Sequence, residues 1–255
     1  MLLAMDVGNT NTVIALYDGD NLRRSWRMAT EKSRASDEIG VLLLQFLKTE
    51  QLDAKAVDAV ILSSVVPPVM HALKNAIKRY LGCRIMEVGP GVKTGMNIRC
   101  DDPKEVGADQ IANAVAAVKK YGAPLIVIDY GTATTFCVVD RHGDYLGGLI
   151  VPGLKISMDA LFERAAKLPR IEIKKPPALI GKTTVGSMQA GAFYALAAQT
   201  DGIVGRIRAK LGQPDCRVIA TGGLAGFAAE EAETIDVVDR RLTLDGLRLI
   251  YEKNC

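Results

Sequence analysis

The chain has few of the residues that metal and thiol sites require. It contains two histidines and five cysteines. The cysteines never stand in C-x-x-C spacing, and the histidines do not complete a ligand set with them; they are Cys83, Cys100, Cys137, Cys216, Cys255, His71 and His142. Zinc sites and cysteine-histidine nucleophiles both depend on such spacing. The pattern therefore argues against both classes of site and predicts reduced thiols.

The sequence also lacks a charge excess and a long apolar run. Lys plus Arg number 32 against 29 Asp plus Glu. A net charge of +3 does not indicate a basic surface for nucleic acid, and the pairs Arg23-Arg24 and Lys174-Lys175 are too short to form one. No apolar run reaches membrane-spanning length, and the first residues read as a strand carrying Asp6 instead of a cleaved leader. We expect a cytoplasmic protein without nucleic-acid or membrane partners.

The first polar feature is a hairpin within Met1 to Asp18. An apolar strand, Leu2 to Met5, brings Asp6 into a turn of small polar residues from Gly8 to Thr12, and a second apolar strand begins at Val13. Backbone N–H groups with little side chain around them suit phosphate oxygens. Asp6 would then face a phosphate only through a cation. A plain polar hairpin is the alternative, because Asn, Thr and Gly are ordinary turn residues.

The same pattern recurs half a chain later, within Leu125 to Asp140. An apolar strand again ends in an aspartate, Asp129, which is followed by Gly131, a run of hydroxyl residues and another apolar strand. An internal repeat of this kind predicts two similar half-domains, at 1–120 and 121–255. We expect each to open with a phosphate-binding hairpin and the two to face each other across a cleft that holds a nucleotide.

The order of strands and helices predicts an α/β protein. The first half reads as three hairpin-linked strands followed by helix, strand and helix, and the second half repeats this more loosely. Such an order implies mixed sheets with helices on their faces. Ligands of such sheets bind at the carboxyl ends of strands, which makes Thr221 to Gly226 a candidate wall for an adenine.

Other nucleotide motifs do not fit. Gly181-Lys182-Thr183 has the ending of a P-loop, but Pro176 stands where that motif needs its first glycine, and no strand leads directly into it. No G-x-G-x-x-G follows the first strand, which argues against a dinucleotide enzyme.

The candidate for proton transfer is Asp109. A helix is predicted from Ala108 to Tyr121, so Asp109 lies in its first turn, where the helix dipole favours the ionised carboxylate. An ionised carboxylate can accept the proton of a substrate hydroxyl as its oxygen attacks phosphorus. The alternative is an ordinary helix-start acid.

Four segments in this order resemble one family: DVGNTNT at Asp6, VGAD at Val106, DYGTATT at Asp129 and TGGLAG at Thr221. The resemblance is to type III pantothenate kinases, members of the superfamily of acetate and sugar kinases, heat-shock ATPases and actin, and it runs from Met1 to about Lys253. It implies two ribonuclease H-like half-domains with the actin-like ATPase architecture. It also implies ATP-dependent phosphorylation of pantothenate to 4'-phosphopantothenate, the first step of coenzyme A biosynthesis.

Matched residue by residue, the resemblance implies a role for each site residue. Asp109 corresponds to the catalytic base, and Asp129 to a ligand of a monovalent cation, K⁺ or NH₄⁺. Mg²⁺ would bridge the phosphates near Asp6. The ATP contacts would be Asp6, Val7, Gly8, Asn9, Thr10, Asn11, Thr12, Val13 and Thr132. The pantothenate contacts would be Cys100, Gly107, Ala108, Asp109 and Gln110, with Thr184 supplied by the partner subunit of a homodimer.

Two acceptor positions depart from the family pattern. Cys100 stands where the family usually has tyrosine, and Gln110 stands where it usually has arginine. The phosphate-binding segments are intact, whereas the acceptor segment is altered; Arg99 and Lys104, both nearby in sequence, could supply the missing charge. Two alternatives follow: a kinase for a different small hydroxy acid, or a catalytically weak relative with an accessory role in transcription.

Overall fold

The computed structural model describes all 255 residues. Its strands are β1 (Leu2–Val7), β2 (Asn11–Asp18), β3 (Asn21–Ala29), β4 (Ala59–Ser64), β5 (Arg84–Glu87), β6 (Leu125–Tyr130), β7 (Ala133–Val139), β8 (Tyr145–Pro152), β9 (Arg217–Gly222) and β10 (Val237–Val238). Its helices are α1 (Ser36–Thr49), α2 (Pro67–Ala76), α3 (Ala108–Tyr121), α4 (Leu154–Arg164), α5 (Thr184–Leu211), α6 (Ala225–Ala228) and α7 (Leu242–Lys253). Two mixed five-stranded sheets flanked by helices confirm the predicted α/β class.

The chain divides into two compact units. The first comprises Met1–Gly95, Asp102–Ala116 and Leu242–Cys255, and the second comprises Met96–Asp101 and Ala117–Arg241. The division falls inside α3, four residues before the boundary predicted after residue 120. The last helix, α7, lies outside the half-domain predicted for it. It belongs to the first unit, although it ends the second half of the sequence.

The sheet of the first unit has the strand order β3-β2-β1-β4-β5. Side chains alternate between the two faces of a strand, and Leu3, Met5 and Val7 of β1 point into the core beneath α1 and α2. Asp6 therefore lies on the opposite face. Helix α7 packs on β1 and β4, and a Cβ at its Gly246 would lie 1.9 Å from the Ala112 carbonyl oxygen, so this close approach requires glycine.

Local signals fix the ends of these elements. The Glu38 carboxylate accepts the Ala35 N–H at the start of α1, over 2.8 Å. Strand β4 ends at Ser64, whose hydroxyl accepts the Val66 N–H where the chain turns. The following helix begins at Pro67, continues through a π-helical turn and ends at Gly82, whose φ is +64°.

The sheet of the second unit has the order β10-β9-β6-β7-β8, and its core packs beneath α4, α5 and α6. Helix α5 starts where the Thr183 hydroxyl accepts the Gly186 N–H, and it is capped at its end by Gly212. Helix α4 ends at Arg164. No helix is both long and apolar enough to cross a membrane.

Candidate active site

The first polar hairpin has a tighter turn than the sequence predicted. Strand β2 begins at Asn11, so only residues 8–10 form the turn, and the Gly8 N–H donates to the Asn11 carbonyl over 3.1 Å. Thr12 already lies in β2, is buried, and has its hydroxyl 2.9 Å from that of Thr30. The predicted turn from 8 to 12 is thus two residues too long. The Thr12 hydroxyl joins two strands, whereas Asn9 and Thr10 are exposed at the turn.

Asp6 has a buried partner that the sequence analysis did not identify. Strands β1 and β4 run parallel with Asp6 opposite Ser63, and the Ser63 hydroxyl donates to Asp6 Oδ1 over 2.8 Å. Ser63 is fully buried, while Asp6 is half-buried. The signal in the sequence was slight: a hydroxyl residue ends an otherwise apolar strand, Ala59 to Leu62.

The second polar hairpin repeats the first and adds a contact. The Gly131 N–H donates to the Ala133 carbonyl, and the Gly153 N–H donates to the Thr132 carbonyl, each over 3.1 Å. A Cβ at Gly153 would lie 2.5 Å from the Gly131 carbonyl oxygen and 2.3 Å from that of Thr132. Two carbonyl oxygens therefore converge beside the turn that follows Asp129. Thr132 itself is exposed.

Strand pairing brings Asp129 to the TGG segment. Strands β6 and β9 are parallel, with Asp129 opposite Thr221. A Cβ at Gly222 would lie 2.5 Å from Asp129 Oδ1, and Gly222 has a φ of +91°, so both space and backbone conformation require glycine. The predicted adenine-side segment and the predicted cation ligand thus meet at the carboxyl end of one sheet.

A positively charged side chain borders the TGG segment as well. A Cβ at Gly226 would lie 2.9 Å from Nη2 of Arg240, so the guanidinium lies against the backbone of α6. Arg240 also lines a cavity of about 580 Å³ together with Lys120, Tyr121, Val238, Asp239 and Arg241. This neighbour was not predictable from the sequence, since the loop after β10 carries no recognisable motif.

Asp109 lies where predicted, but its electrostatics differ from the prediction. It is half-buried in the first turn of α3, and Oδ1 accepts the Gln110 N–H over 2.9 Å. Burial raises the pKa of the Asp109 carboxyl, and the opposing N–H donors of Gln110 and of Asp109 itself do not cancel that effect. The helix dipole had predicted a lowered pKa for Asp109. A carboxylate whose pKa is raised is a stronger base than an ordinary one.

The Asp109 carboxylate can occupy its position because residue 107 is a glycine and has no Cβ. A Cβ on Gly107 would lie 2.5 Å from Asp109 Oδ1, closer than real Cβ contacts come. The Gly107 carbonyl also accepts the N–H of Ile111 over 3.1 Å, which ties the residue to the first turn of α3. Gly107, Ala108, Asp109 and Gln110 therefore form one short structural group at the start of this helix.

The other predicted acceptor contacts lie in the second unit. Cys100 is half-buried, its Sγ is 3.7 Å from the Cβ position of Gly147, and burial raises the pKa of its thiol. Arg99 is paired with Asp144 at 2.7 Å, which leaves it less able to replace a missing charge. Thr184 is the exposed first residue of α5. It lines a cavity of about 680 Å³ with Leu168, Gly181, Lys182, Thr183, Ser187 and Met188.

Comparison with known proteins decides the family. The family model for type III pantothenate kinase matches residues 2–206. The chain belongs to the type III pantothenate kinase family. A type III pantothenate kinase of Exiguobacterium sp. (strain AT1b) is 53% identical over 254 residues, covering 100% of this chain and 99% of the relative. Another, from Geobacillus kaustophilus, is 52% identical and is covered over 98% of its length.

Solved structures show the same fold at low sequence identity. A Campylobacter jejuni protein described as a Baf family transcriptional activator has a TM-score of 0.62 at 18% identity, covering 99% of this chain and 98% of its own. The activator of 2-hydroxyisocaproyl-CoA dehydratase from Clostridium difficile, solved with ADPNP, has a TM-score of 0.55 at 14% identity, with coverage of 99% and 96%. Such distant likeness establishes the architecture alone.

Family membership also fixes the class of reaction. Type III pantothenate kinases are phosphotransferases that act at the first step of coenzyme A biosynthesis, with ATP as the phosphoryl donor. The kinase function predicted from the four segments is thereby confirmed.

Proposed function

We propose that this type III pantothenate kinase transfers the γ-phosphoryl group of ATP to the primary hydroxyl of pantothenate with Asp109 as general base. The environment of the Asp109 carboxyl group supports the assignment. The group is half-buried, it fits beside Gly107 because that residue has no Cβ, and burial raises its pKa. A base with a raised pKa accepts a hydroxyl proton more readily as the oxygen attacks phosphorus. Formation of 4'-phosphopantothenate from ATP and pantothenate, followed by mass spectrometry, tests the activity directly.

The two hairpin turns are suited to hold the phosphates. Residues 8–10 and 131–132 are turns of small residues, all exposed except the half-buried Gly8, and each turn follows a half-buried aspartate, Asp6 or Asp129. No group of three or more His, Cys, Asp or Glu side chains forms a metal site in the protein. Mg²⁺ is commonly held by one or two carboxylates together with substrate phosphates. We therefore assign Asp6 to Mg²⁺ that arrives with ATP, where the ion would neutralise phosphate charge.

Asp129 is our candidate ligand for a monovalent cation. Its carboxylate lies beside a turn whose carbonyl oxygens, from Gly131 and Thr132, converge near Gly153. Carbonyl and carboxylate oxygens replace the hydration shell of an ion such as K⁺, and a cation here would offset negative charge on a bound nucleotide.

We expect turnover to require K⁺ or NH₄⁺. Without a cation, the negative charge of Asp129 and its neighbouring carbonyl oxygens would repel the phosphates of ATP. The measurement is kcat in KCl, NH₄Cl and NaCl at equal ionic strength. Asp129→Asn should weaken the response to K⁺, since it removes the ligand charge. Equal rates in sodium and potassium would remove the cation from the proposal.

The acceptor segment carries the two departures from the family. Arginine can bind a carboxylate through two charge-assisted hydrogen bonds, whereas Gln110 brings a neutral amide. Cys100 brings a thiol in place of a phenol that could both pack and donate a hydrogen bond. We infer that pantothenate remains the acceptor but is bound more weakly than by relatives with the usual pair.

Restoring the family residues should tighten pantothenate binding. For Gln110→Arg with Cys100→Tyr we expect a gain of roughly 1.5–3 kcal/mol, about ten- to a hundredfold in affinity, as for a hydrogen bond to a charged group. The measurement is titration of pantothenate in the presence of a non-hydrolysable ATP analogue, with each single variant as the control. Unchanged binding, with faster turnover of another hydroxy acid by the wild type, would mean that the pocket serves a different acceptor.

A homodimer is supported by exposed apolar side chains in the second unit. Eight of the eleven large apolar side chains that are exposed fall within residues 149–185: Leu149, Ile150, Ile156, Leu161, Phe162, Leu179, Ile180 and Val185. Ile150 and Ile180 are 71% and 79% exposed. Large exposed apolar patches on a protein commonly mark interaction sites, and this stretch of the chain holds most of the exposed apolar side chains. The start of α5, with Thr184, belongs to the same region.

We expect the protein to sediment as a dimer and the pair Ile150→Asp with Ile180→Asp to shift it to a monomer, because charge is costly in a buried apolar interface. The pantothenate KM of this variant should rise, since Thr184 would no longer reach a partner's site. Val41→Asp is the matched control: Val41 is 47% exposed but lies in the first unit. A wild-type monomer with full activity would contradict the proposal.

A further inference from the structure

Ser63 places a fully buried hydroxyl group beside Asp6. Strand β4 is apolar and buried from Ala59 to Leu62, and then places a hydroxyl at Ser63, which is 0% exposed. A hydroxyl removed from water costs free energy unless it is hydrogen-bonded. Its recorded hydrogen bond goes to Asp6 Oδ1 over 2.8 Å. The position therefore carries a polar group that serves the carboxylate next to it.

The strand register makes this contact rigid. Asp6 and Ser63 are direct partners across the parallel pair β1 and β4, two central strands of the five-stranded sheet. Paired residues of neighbouring strands point to the same face, so the short serine side chain reaches the carboxylate without a change of backbone. Asp6 is half-buried and directly precedes Val7, the last residue before the turn. One carboxylate oxygen is thus anchored from the inside of the protein.

We infer that Ser63 is a positioning residue for the Mg²⁺-nucleotide, acting through Asp6. This rests on the proposed function, in which the Asp6 carboxylate faces Mg²⁺ bound to ATP. A ligating carboxylate is usually oriented by an outer hydrogen bond, and removal of such a partner typically costs about 10- to 100-fold in metal affinity or activity. The Ser63 hydroxyl holds the Asp6 carboxylate in one orientation before Mg²⁺ binds. Binding of the ion therefore does not have to restrict the rotation of that carboxylate.

The chain offers a matched control in the next residue. Ser64 carries the same side chain, but its hydroxyl accepts the Val66 N–H and belongs to the turn after β4. Ser64→Ala removes a local hydrogen bond without touching Asp6. Ser63→Cys keeps the shape of the side chain and a weak donor, with a somewhat larger atom, whereas Ser63→Ala removes the donor altogether.

The experiment measures binding of a non-hydrolysable ATP analogue by calorimetry, with and without Mg²⁺, for the wild type and the variants Ser63→Ala, Ser63→Cys and Ser64→Ala. We expect Ser63→Ala to lose about 10- to 100-fold of the Mg²⁺-dependent affinity while Mg²⁺-free binding is unchanged. Ser63→Cys should recover part of the loss, and Ser64→Ala should match the wild type. The concentration of Mg²⁺ that gives half-maximal turnover should rise in the same order.

Two results overturn the inference. If Ser63→Ala binds the Mg²⁺-nucleotide as tightly as the wild type, the serine does not position Asp6 for the ion. If it loses affinity equally with and without Mg²⁺, or if Ser64→Ala loses as much, the effect is a general weakening of the fold. Because no pantothenate is present, the outcome is independent of the acceptor, and failure of the kinase assignment would be seen separately as absence of 4'-phosphopantothenate.

Discussion

Asp109→Asn is expected to lower kcat by about 100- to 10,000-fold, the range typical of a general base. Asparagine keeps the shape and a hydrogen-bond acceptor for the Gln110 N–H, but it cannot take the substrate proton. ATP binding should be preserved, because the phosphate turns lie elsewhere in the chain. The measurement is steady-state turnover at saturating ATP and pantothenate. Near-normal turnover would remove Asp109 from the chemical step.

The pH dependence gives a second readout of the same group. Because burial raises the Asp109 pKa, the acid limb of kcat/KM should lie above the usual aspartate pKa of about 3.9, and the limb should disappear in Asp109→Asn. The raised pKa also makes the stability of the fold depend on pH. A carboxyl whose pKa is raised by folding favours the folded state below its unfolded pKa, and this contribution is lost as the pH rises through the folded pKa. At neutral pH the Tm of Asp109→Asn should therefore equal or exceed that of the wild type.

A helix-start acid without a catalytic role provides the control. Asp37 lies in the first turn of α1, where it accepts hydrogen bonds from Arg79 and Tyr80, each over 2.8 Å. Asp37→Asn should leave turnover unchanged and lower the Tm slightly, since it weakens an exposed ion pair. The two variants thus separate a base from an ordinary acid at a helix start, which the sequence alone could not do.

Gly107→Ala should be the next most damaging substitution, with a loss of roughly 100-fold in kcat. A Cβ at position 107 would come within 2.5 Å of Asp109 Oδ1, so the carboxylate has to move. Misplacement of a reacting group by about 1 Å is enough for a 100-fold loss. The backbone need not move, because the atom in the way is the end of a side chain. We therefore expect the Tm to be nearly unchanged.

A matched glycine shows whether the effect is local. Nothing lies within 4 Å of the Cβ position of Gly89, which is also in the first unit, so Gly89→Ala should leave both kcat and Tm near their wild-type values. Gly246→Ala gives the opposite case: its Cβ would lie 1.9 Å from a backbone oxygen, and the fold should be destabilised. A Gly107→Ala protein that unfolds like Gly246→Ala would contradict the positioning role.

Local patterns in the sequence determined the two hairpins. An apolar strand followed by aspartate, glycine and small polar residues specifies a tight turn, because these residues favour turns and the apolar runs on either side must be buried. The repeat of that pattern, at Asp6 and at Asp129, predicted two similar half-domains, and the order of strands and helices predicted their mixed sheets. The limits of α3 were equally readable: the helix runs from Ala108 to Tyr121 as predicted, and Gly122 follows it.

Strand register decided what the sequence could not. Residues far apart in sequence meet only after strands pair, so neither Ser63 beside Asp6 nor Gly222 beside Asp129 was predictable from local pattern. The same limit explains Thr12, whose hydroxyl looked available at a turn but pairs with Thr30 across two strands. Pairing fixes which side chains share a face, and that information is not present in either strand by itself.

The sequence by itself determined the class of fold, the two hairpin turns and the family, because periodicity, turn chemistry and the four short segments are properties of neighbouring residues. Only the tertiary structure decided the environment of each group. The helix start alone predicts an Asp109 that ionises easily, whereas burial raises its pKa. The last helix, α7, likewise joins the first unit because packing on β1 and β4 buries its apolar side chains, irrespective of its place in the chain.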